Sequence, residues 1–277
     1  MILKQILQAG LLPFCIVCIA AAVVPRLFPK YRTAAWWSGL GVGIAFLIAG
    51  SVVGGKFKFP PETATQWLNW IALIAWVLGY VTRFLKWSWV SWPLMGAVCG
   101  WLVLDPLQQH YSMWGFVGLI AVSGFLIAFG VWSERSAKDH LLLGLCAVML
   151  NCLGASLVPT LDGSVLAGQY FGILASIAAG LAACHLLRVN ITGASWALAS
   201  VWVLIWAICI FFVDVNRVAV AVSGAAWMMI ALLRVPQVAK RPAWVQWACV
   251  LGLTFAMQAV AVAWLIRCNA AEGESYY

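Results

Sequence analysis

Charge is what this chain of 277 residues has least of. Only 9% of its residues are Asp, Glu, Lys or Arg, whereas 65% are hydrophobic. Soluble domains carry about 25% charged residues, so this composition excludes a protein that water surrounds. The connections between the apolar segments are short, which leaves no room for a soluble domain or a linker. We therefore expect a single integral membrane domain over residues 1–277, with the lipid bilayer as its main partner.

The apolar segments also lack ionisable side chains near their midpoints. Such groups within a membrane mark proton relays, voltage sensors and pathways for charged substrates, and their absence argues against those functions. The sequence has no phosphate-binding loop, no G-x-S-x-G elbow, no H-E-x-x-H motif and no paired carboxylates at helical spacing. Because no acid, base or nucleophile set can be named, we do not predict an enzyme.

Ligands for a metal or a haem are equally scarce. Of the 9 cysteines, all but Cys268 lie inside apolar segments, where a thiol behaves as a small hydrophobe. His140 and His185 could approach each other near one membrane surface, beside Cys184, but no third ligand at a recognisable spacing accompanies them. We predict neither a metal site nor a cofactor.

The net charge of +8 resides in the connections between segments. Nucleic-acid binding would need a basic patch on a soluble domain, so we predict no nucleic-acid partner. Most of the 16 Lys and Arg residues fall in every second connection, beginning with the one after the first segment. By the positive-inside rule these connections are cytoplasmic and both termini face the outer side. We expect a membrane of the bacterial inner (plasma) membrane type.

The chain does contain long apolar segments. A helix needs about 20 apolar residues to cross the hydrocarbon, and ten segments approach that length. The segments cover residues 6–24, 34–53, 67–84, 87–104, 113–132, 141–158, 164–187, 193–213, 218–233 and 243–266. They predict an all-α, polytopic transmembrane bundle of about ten spanning helices. Ten helices could also form an inverted five-plus-five repeat, since an odd number of helices per set reverses the second set.

Small residues recur at every fourth position of the seventh segment. The series is Gly168, Gly172, Ser176, Gly180 and Cys184. On a helix this spacing makes a shallow groove in which another backbone can approach closely, and such grooves hold helices together in lipid. We predict that these residues form a helix-packing seam and that the seventh helix is the packing centre of the bundle.

Four amide side chains lie inside the predicted membrane region. They are Asn69, Asn151, Gln169 and Gln258. With the predicted topology, all four fall at or outside the midplane, so they could line a polar cavity that opens outward. Pro13 and Pro93 would free backbone carbonyls inside helices and so favour a break in the bundle beside such a cavity. The alternative is that the amides make interhelical hydrogen bonds.

These features predict a carrier for a small neutral, zwitterionic or amphipathic solute, bound by the amides in an outward-facing polar cavity. The alternative is a non-catalytic scaffold or accessory subunit of a larger complex, with other membrane proteins docked on the small-residue grooves and on the belts formed by the 18 tryptophans. Trp76, Trp202, Trp206 and Trp227 lie deeper than those belts and are interpreted as packing residues.

Overall fold

Helices account for nearly all of the chain that the structure describes. The computed structural model describes residues 6–27, 36–54, 59–82, 88–136, 140–191 and 193–274, and these residues contain no strand. Ten apolar helices of 17 residues or more follow one another along the described part of the chain. They are α1 (residues 6–27), α2 (Trp36–Gly54), α3 (Ala64–Val81), α4 (Ser88–Leu104), α5 (Met113–Ser136), α6 (Leu141–Leu161), α7 (Val165–Leu186), α8 (Ser195–Phe211), α9 (Arg217–Arg234) and α10 (Ala243–Glu274).

The predicted all-α, multi-pass bundle is confirmed. Among the described residues, nine helices are long and apolar enough to cross a membrane, and α8 is the shorter tenth helix with 17 residues. A 17-residue helix rises about 26 Å, slightly less than the roughly 30 Å of hydrocarbon in a typical bilayer. The chain is therefore an integral membrane protein of the polytopic helical class.

The observed helix ends differ from the predicted ends by a few residues. α3 begins three residues early, because the Thr63 side chain caps it by accepting a hydrogen bond from the Gln66 backbone N–H at 3.4 Å. α10 continues to Glu274, since no proline interrupts it after residue 243. The predicted ends at residues 34–35, 83–84 and 87 lie outside the described residues.

α1 is irregular at two places, and each place precedes a proline. Its turns Ile6–Leu11 and Ile19–Val23 are π-helical. They come before Pro13 and Pro25, which lack an N–H and would crowd the carbonyl four residues earlier. The wider π turn accommodates each proline without ending the helix, a known cause of local bending.

α9 changes its helix type near the middle of the span. Arg217–Ala225 is α-helical, whereas Ala226–Arg234 is a 3₁₀ helix. Runs of 3₁₀ helix longer than three or four residues are uncommon because their hydrogen-bond geometry is poorer. Nine such residues in sequence make α9, like α1, an irregular span.

α8 is enclosed by other helices. All of its residues except Ile210 and Phe211 are buried, and it contacts α2, α3, α4, α5, α7 and α9. The prediction that the seventh helix is the packing centre is not contradicted, because α7 has extensive contacts of its own. α7 is also well buried, but it contacts α1, α2, α6 and α8. The small-residue spacing singled out α7, whereas α8 is enclosed because it is apolar on every face.

Contacts between helix ends agree with alternate threading of the chain. The Asn216 backbone N–H donates to Asp162 Oδ2 at 2.7 Å, which joins the connection after α6 to the connection after α8. At the opposite end, the Arg234 guanidinium lies 4.6 Å from the ring centroid of Trp132, which joins the ends of α9 and α5. Each pair was expected on one side of the membrane.

The neighbours of α1 and α6 bear on the five-plus-five repeat. α6 packs against α7, α9 and α10, whereas α1, its counterpart under such a repeat, packs against α2 and α7. Apart from the next helix along the chain, the neighbours of α1 differ from those of α6. These contacts do not establish the inverted repeat, which stays a prediction.

Candidate functional site

The small-residue seam of α7 divides between two neighbouring helices. A Cβ on Gly168 would overlap the Thr160 hydroxyl of α6, and a Cβ on Gly180 would overlap the Val17 side chain of α1. A step of four residues advances about 400°, so three steps turn the groove by about 120°. That drift explains why the two ends of the seam meet different helices.

The middle of the seam is less crowded. A Cβ on Gly172 would meet nothing within 4 Å in the described part of the chain. The Ser176 hydroxyl donates to the Gly172 carbonyl oxygen at 3.0 Å, and Cys184 is buried near the C-terminal end of α7. Close helix approach is therefore a property of Gly168 and Gly180, with Gly172 as a natural comparison position.

Asn151 makes a buried hydrogen bond between α6 and α8. Its Oδ1 atom accepts from the Trp202 indole N–H at 3.1 Å, and its side chain is completely inaccessible. The Asn151 Nδ2 group is buried with no hydrogen-bond partner among the described residues. Because an indole N–H has only one donor, this bond fixes the orientation of the Trp202 ring.

Gln258 joins α10 to α9. Its Oε1 atom accepts from the Ser223 hydroxyl at 2.7 Å, and its Nε2 group donates to the Ser223 carbonyl oxygen at 3.1 Å. The methylene groups of Gln258 lie against Gly154 of α6, so its side chain occupies the meeting point of three helices. Both polar ends of this amide are satisfied.

Asn69 lies in a third region. Asn69 of α3 is buried against Gly50 of α2, beside the ring of Tyr170 from α7. Its Oδ1 atom and the Tyr170 hydroxyl have no hydrogen-bond partner within the described ranges. Gln169, in the first turns of α7, is half-buried. Asn151, Gln258 and Asn69 thus occupy three separate helix interfaces, and the binding of a solute by the four predicted residues stays a prediction.

A cavity of about 310 Å³ lies between α5, α8 and α9. Ligand pockets have volumes of roughly 300–1,000 Å³, so this cavity is of a functional size. Its lining residues carry no ionisable side chain, and several of them are large aromatics. Its walls include Phe129 and Gly130 of α5, Trp202 and Trp206 of α8, and Gly224 and Trp227 of α9.

The aromatic walls form two packed pairs. The ring centroids of Trp202 and Trp227 are 4.6 Å apart at an interplanar angle of 39°. Trp206 packs against Phe171 of α7, also with centroids 4.6 Å apart. Offset and tilted pairs of this kind hold both rings in place, so the cavity is bordered by rigid surfaces.

Two of the three indole groups at the cavity lack a partner. The Trp206 and Trp227 N–H groups are buried without an acceptor among the described residues, whereas the Trp202 N–H is bound to Asn151. A Cβ on Gly130 would lie 3.5 Å from Trp227 Nε1, which places this N–H at the α5 wall. Among the described residues, Trp76 and Trp196, which do not line this cavity, also have a buried indole N–H without an acceptor.

The cavity opens sideways between α5 and α9. Among its lining residues, Leu126 is 43% exposed, Met228 is 45% exposed, and Ala221 is also exposed. These residues belong to spans that lipid surrounds, so the opening faces the hydrocarbon rather than water. A molecule dissolved in the bilayer has direct access to the aromatic walls.

Sequence reasoning interpreted Trp202, Trp206 and Trp227 only as packing residues. The available signal was that Trp202 and Trp206 are four residues apart and so share one face of a helix. It gave no indication that Gly130 and Gly224 stand opposite that face. Neither Pro13 nor Pro93 borders the cavity; the Pro93 carbonyl packs on Gly124 of α5 instead.

A scan of protein-family models and a search of curated proteins each returned no match for this chain.

Proposed function

We propose that this protein is a carrier for a small, uncharged, amphipathic solute, and that the solute binds in the cavity between α5, α8 and α9. The observation that supports the proposal most strongly is the change of helix type in α9. Gly224 and Ala225, which precede the change, and Trp227, which follows it, all line the cavity. Broken or irregular spans at a binding site are a recurring feature of secondary transporters.

The 3₁₀ segment offers a means of movement. A 3₁₀ helix rises about 2.0 Å per residue and an α-helix about 1.5 Å. Conversion of these nine residues from 3₁₀ to α-helix would therefore shorten α9 by about 4.5 Å. That conversion would also turn the side chains after Ala225 around the helix axis. Trp227 and Met228 would then move relative to α5, which would close or open the lateral mouth of the cavity.

Two of the predicted amides, Asn151 and Gln258, do not line this cavity but hold residues that form or adjoin its walls. Asn151 holds the Trp202 ring, and Gln258 holds α9 through Ser223, the residue before Gly224. In this proposal both amides are positioning residues rather than solute ligands. The solute is uncharged, because no lining side chain can neutralise a charge and a bare charge in such surroundings is costly.

The test is uptake by proteoliposomes of the purified full-length protein across a panel of radiolabelled aromatic and aliphatic solutes without charge. The proposal predicts saturable uptake of at least one solute, with protein-free liposomes as the control for passive entry. Its absence across the panel, together with isolation of the native protein in a stoichiometric complex, would overturn the proposal in favour of the scaffold alternative.

A further inference from the structure

Two cysteine thiols meet between α1 and α7, where the small-residue seam ends. The Cys18 thiol donates to the Gly180 carbonyl oxygen at 3.6 Å, and its Sγ atom would lie 3.5 Å from a Cβ on Gly180. Cys184 is one turn after Gly180 and on the same face of α7. The thiols of Cys18 and Cys184 also share a side-chain hydrogen bond. Two sulfur ligands from distant parts of the sequence are therefore neighbours.

The packing of α1 on α7 holds this thiol pair in place. A Cβ on Gly10 of α1 would lie 4.0 Å from Ser176 Oγ of α7, and a Cβ on Gly180 would overlap Val17 of α1. The contacts therefore advance in the same direction along both helices, which run parallel. Because Gly180 allows the two backbones to approach closely, the thiols remain together without any rearrangement of the bundle.

A positive side chain accompanies the thiol pair. The Arg26 guanidinium, about two turns after Cys18 on α1, interacts electrostatically with Cys184. Two thiolates that share one monovalent cation form a complex with a single negative charge. Arg26 can balance this charge, and a balanced charge is much less costly beside apolar side chains than an unbalanced one.

The number of ligands selects the class of metal. Structural zinc and iron–sulfur centres take four protein ligands, whereas the described residues contain no group of three or more His, Cys, Asp or Glu side chains that could hold a metal. Thiolates favour soft metals such as Cu(I), and the d¹⁰ ions Cu(I) and Ag(I) accept two ligands in a line. With the predicted orientation, the pair lies toward the cytoplasmic side, where thiols are kept reduced. A bound metal ion is therefore a better assignment than a disulfide.

We infer that Cys18 and Cys184 form a two-coordinate site for a soft monovalent metal ion, Cu(I) or Ag(I), which bridges α1 and α7 with Arg26 as its counter-charge. Binding replaces two S–H bonds with two S–metal bonds and releases both protons to water. One positive ion enters and two protons leave, so the site gains one negative charge. This site is remote from the residues that line the cavity between α5, α8 and α9, so the inference does not depend on the carrier proposal.

Competition for Cu(I) measures the affinity of the site. The full-length protein in phosphatidylcholine nanodiscs is titrated, in the absence of oxygen, against Cu(I) bicinchoninate, whose colour fades as the metal moves to the protein. Empty nanodiscs are the control for binding to lipid. We expect the protein to take up one equivalent of Cu(I), and X-ray absorption of the loaded protein to show two sulfur ligands and no nitrogen ligand.

Serine variants assign the metal to the two thiols. Loss of an outer-shell partner alone costs 10–100-fold in metal affinity, so Cys18→Ser and Cys184→Ser should each lower the affinity for Cu(I) by more than about 100-fold. Cys15→Ser is the matched control, since Cys15 is exposed on α1 and lies further from Cys184 along the parallel helices, and it should keep the full affinity. Arg26→Gln should weaken binding roughly threefold and retain both sulfur ligands.

Three results would overturn the inference. Wild-type protein that takes no Cu(I) from bicinchoninate would exclude the site, and this result does not depend on the folding of any variant. Undiminished affinity in both Cys18→Ser and Cys184→Ser would place the metal on other thiols. A Cys18–Cys184 disulfide, found by peptide mapping of protein isolated with its free thiols blocked, would make the pair a redox bond instead of a metal site.

Discussion

The indole N–H of Trp202 donates to Asn151 Oδ1 at 3.1 Å, and this bond ties the central helix α8 to α6 directly behind the wall of the cavity. Asn151 was selected from the sequence as a solute ligand. Its observed partner is a tryptophan that itself lines the cavity. The hydrogen bond therefore relates a predicted polar residue to an aromatic site that the sequence did not reveal.

Removal of this bond gives the first prediction. Asn151→Leu and Trp202→Phe should each lower the free energy of unfolding, and a double-mutant cycle should give a coupling energy of about 0.6–1.7 kcal/mol, as found for hydrogen bonds between membrane helices. Reversible unfolding in mixed detergent micelles measures it. Strictly additive effects of the two substitutions would contradict the bond.

The seam of α7 gives the second prediction. Gly180→Ala should destabilise the protein by about 1–3 kcal/mol, because its Cβ would overlap Val17 of α1 and overpacking carries that cost. Gly172→Ala is the matched control, since its Cβ meets nothing within 4 Å among the described residues. The same unfolding measurement applies to both, and equal effects would show that α1 does not pack against Gly180.

The anchor of α9 gives the third prediction. Gln258→Leu removes both hydrogen bonds to Ser223, so the adjacent 3₁₀ segment Ala226–Arg234 should open more readily. Hydrogen exchange followed by mass spectrometry should show faster exchange in this segment than in the wild-type protein. Exchange in α8 serves as the internal control and should not change. Unaltered exchange in Ala226–Arg234 would exclude Gln258 as its anchor.

The orientation of the chain gives the fourth prediction. Cys268 lies near the end of α10, which the positive-inside rule assigns to the outer side. A membrane-impermeant maleimide should therefore label Cys268 in intact cells, with Cys268→Ser as the control for the other thiols. Labelling only after permeabilisation would reverse the proposed orientation of both termini.

The sequence was sufficient for the helices because their formation in lipid depends on local properties. Apolar length alone requires a span, and no competing structure satisfies the backbone there. Hence the segment at residues 113–132 predicted α5 from its first residue, and the segment at residues 141–158 predicted α6 in the same way. Ends set by a cap, such as Thr63 at α3, were missed by a few residues.

The cavity could not be predicted from the sequence, because it depends on which helix faces pack against one another. All membrane helices are apolar on most faces, so periodicity does not distinguish lipid from protein neighbours. Gly130 of α5 and Gly224 of α9 leave space beside Trp202 only because α5, α8 and α9 come together. Likewise, no proline in the sequence indicates the change to 3₁₀ geometry after Ala225.

Blocking the cavity tests the carrier proposal most directly. Gly224 lines the cavity, and a Cβ there would approach only Trp202 Cη2, at 3.8 Å, among the described residues, so Gly224→Leu should fill the space without disturbing the walls. Gly252→Leu on α10 is the matched control, because its Cβ would meet nothing within 4 Å in the described ranges. In proteoliposomes loaded with equal amounts of folded protein, we predict that Gly224→Leu abolishes saturable uptake and that Gly252→Leu retains it. Undiminished uptake by Gly224→Leu would contradict the assignment of this cavity as the solute site.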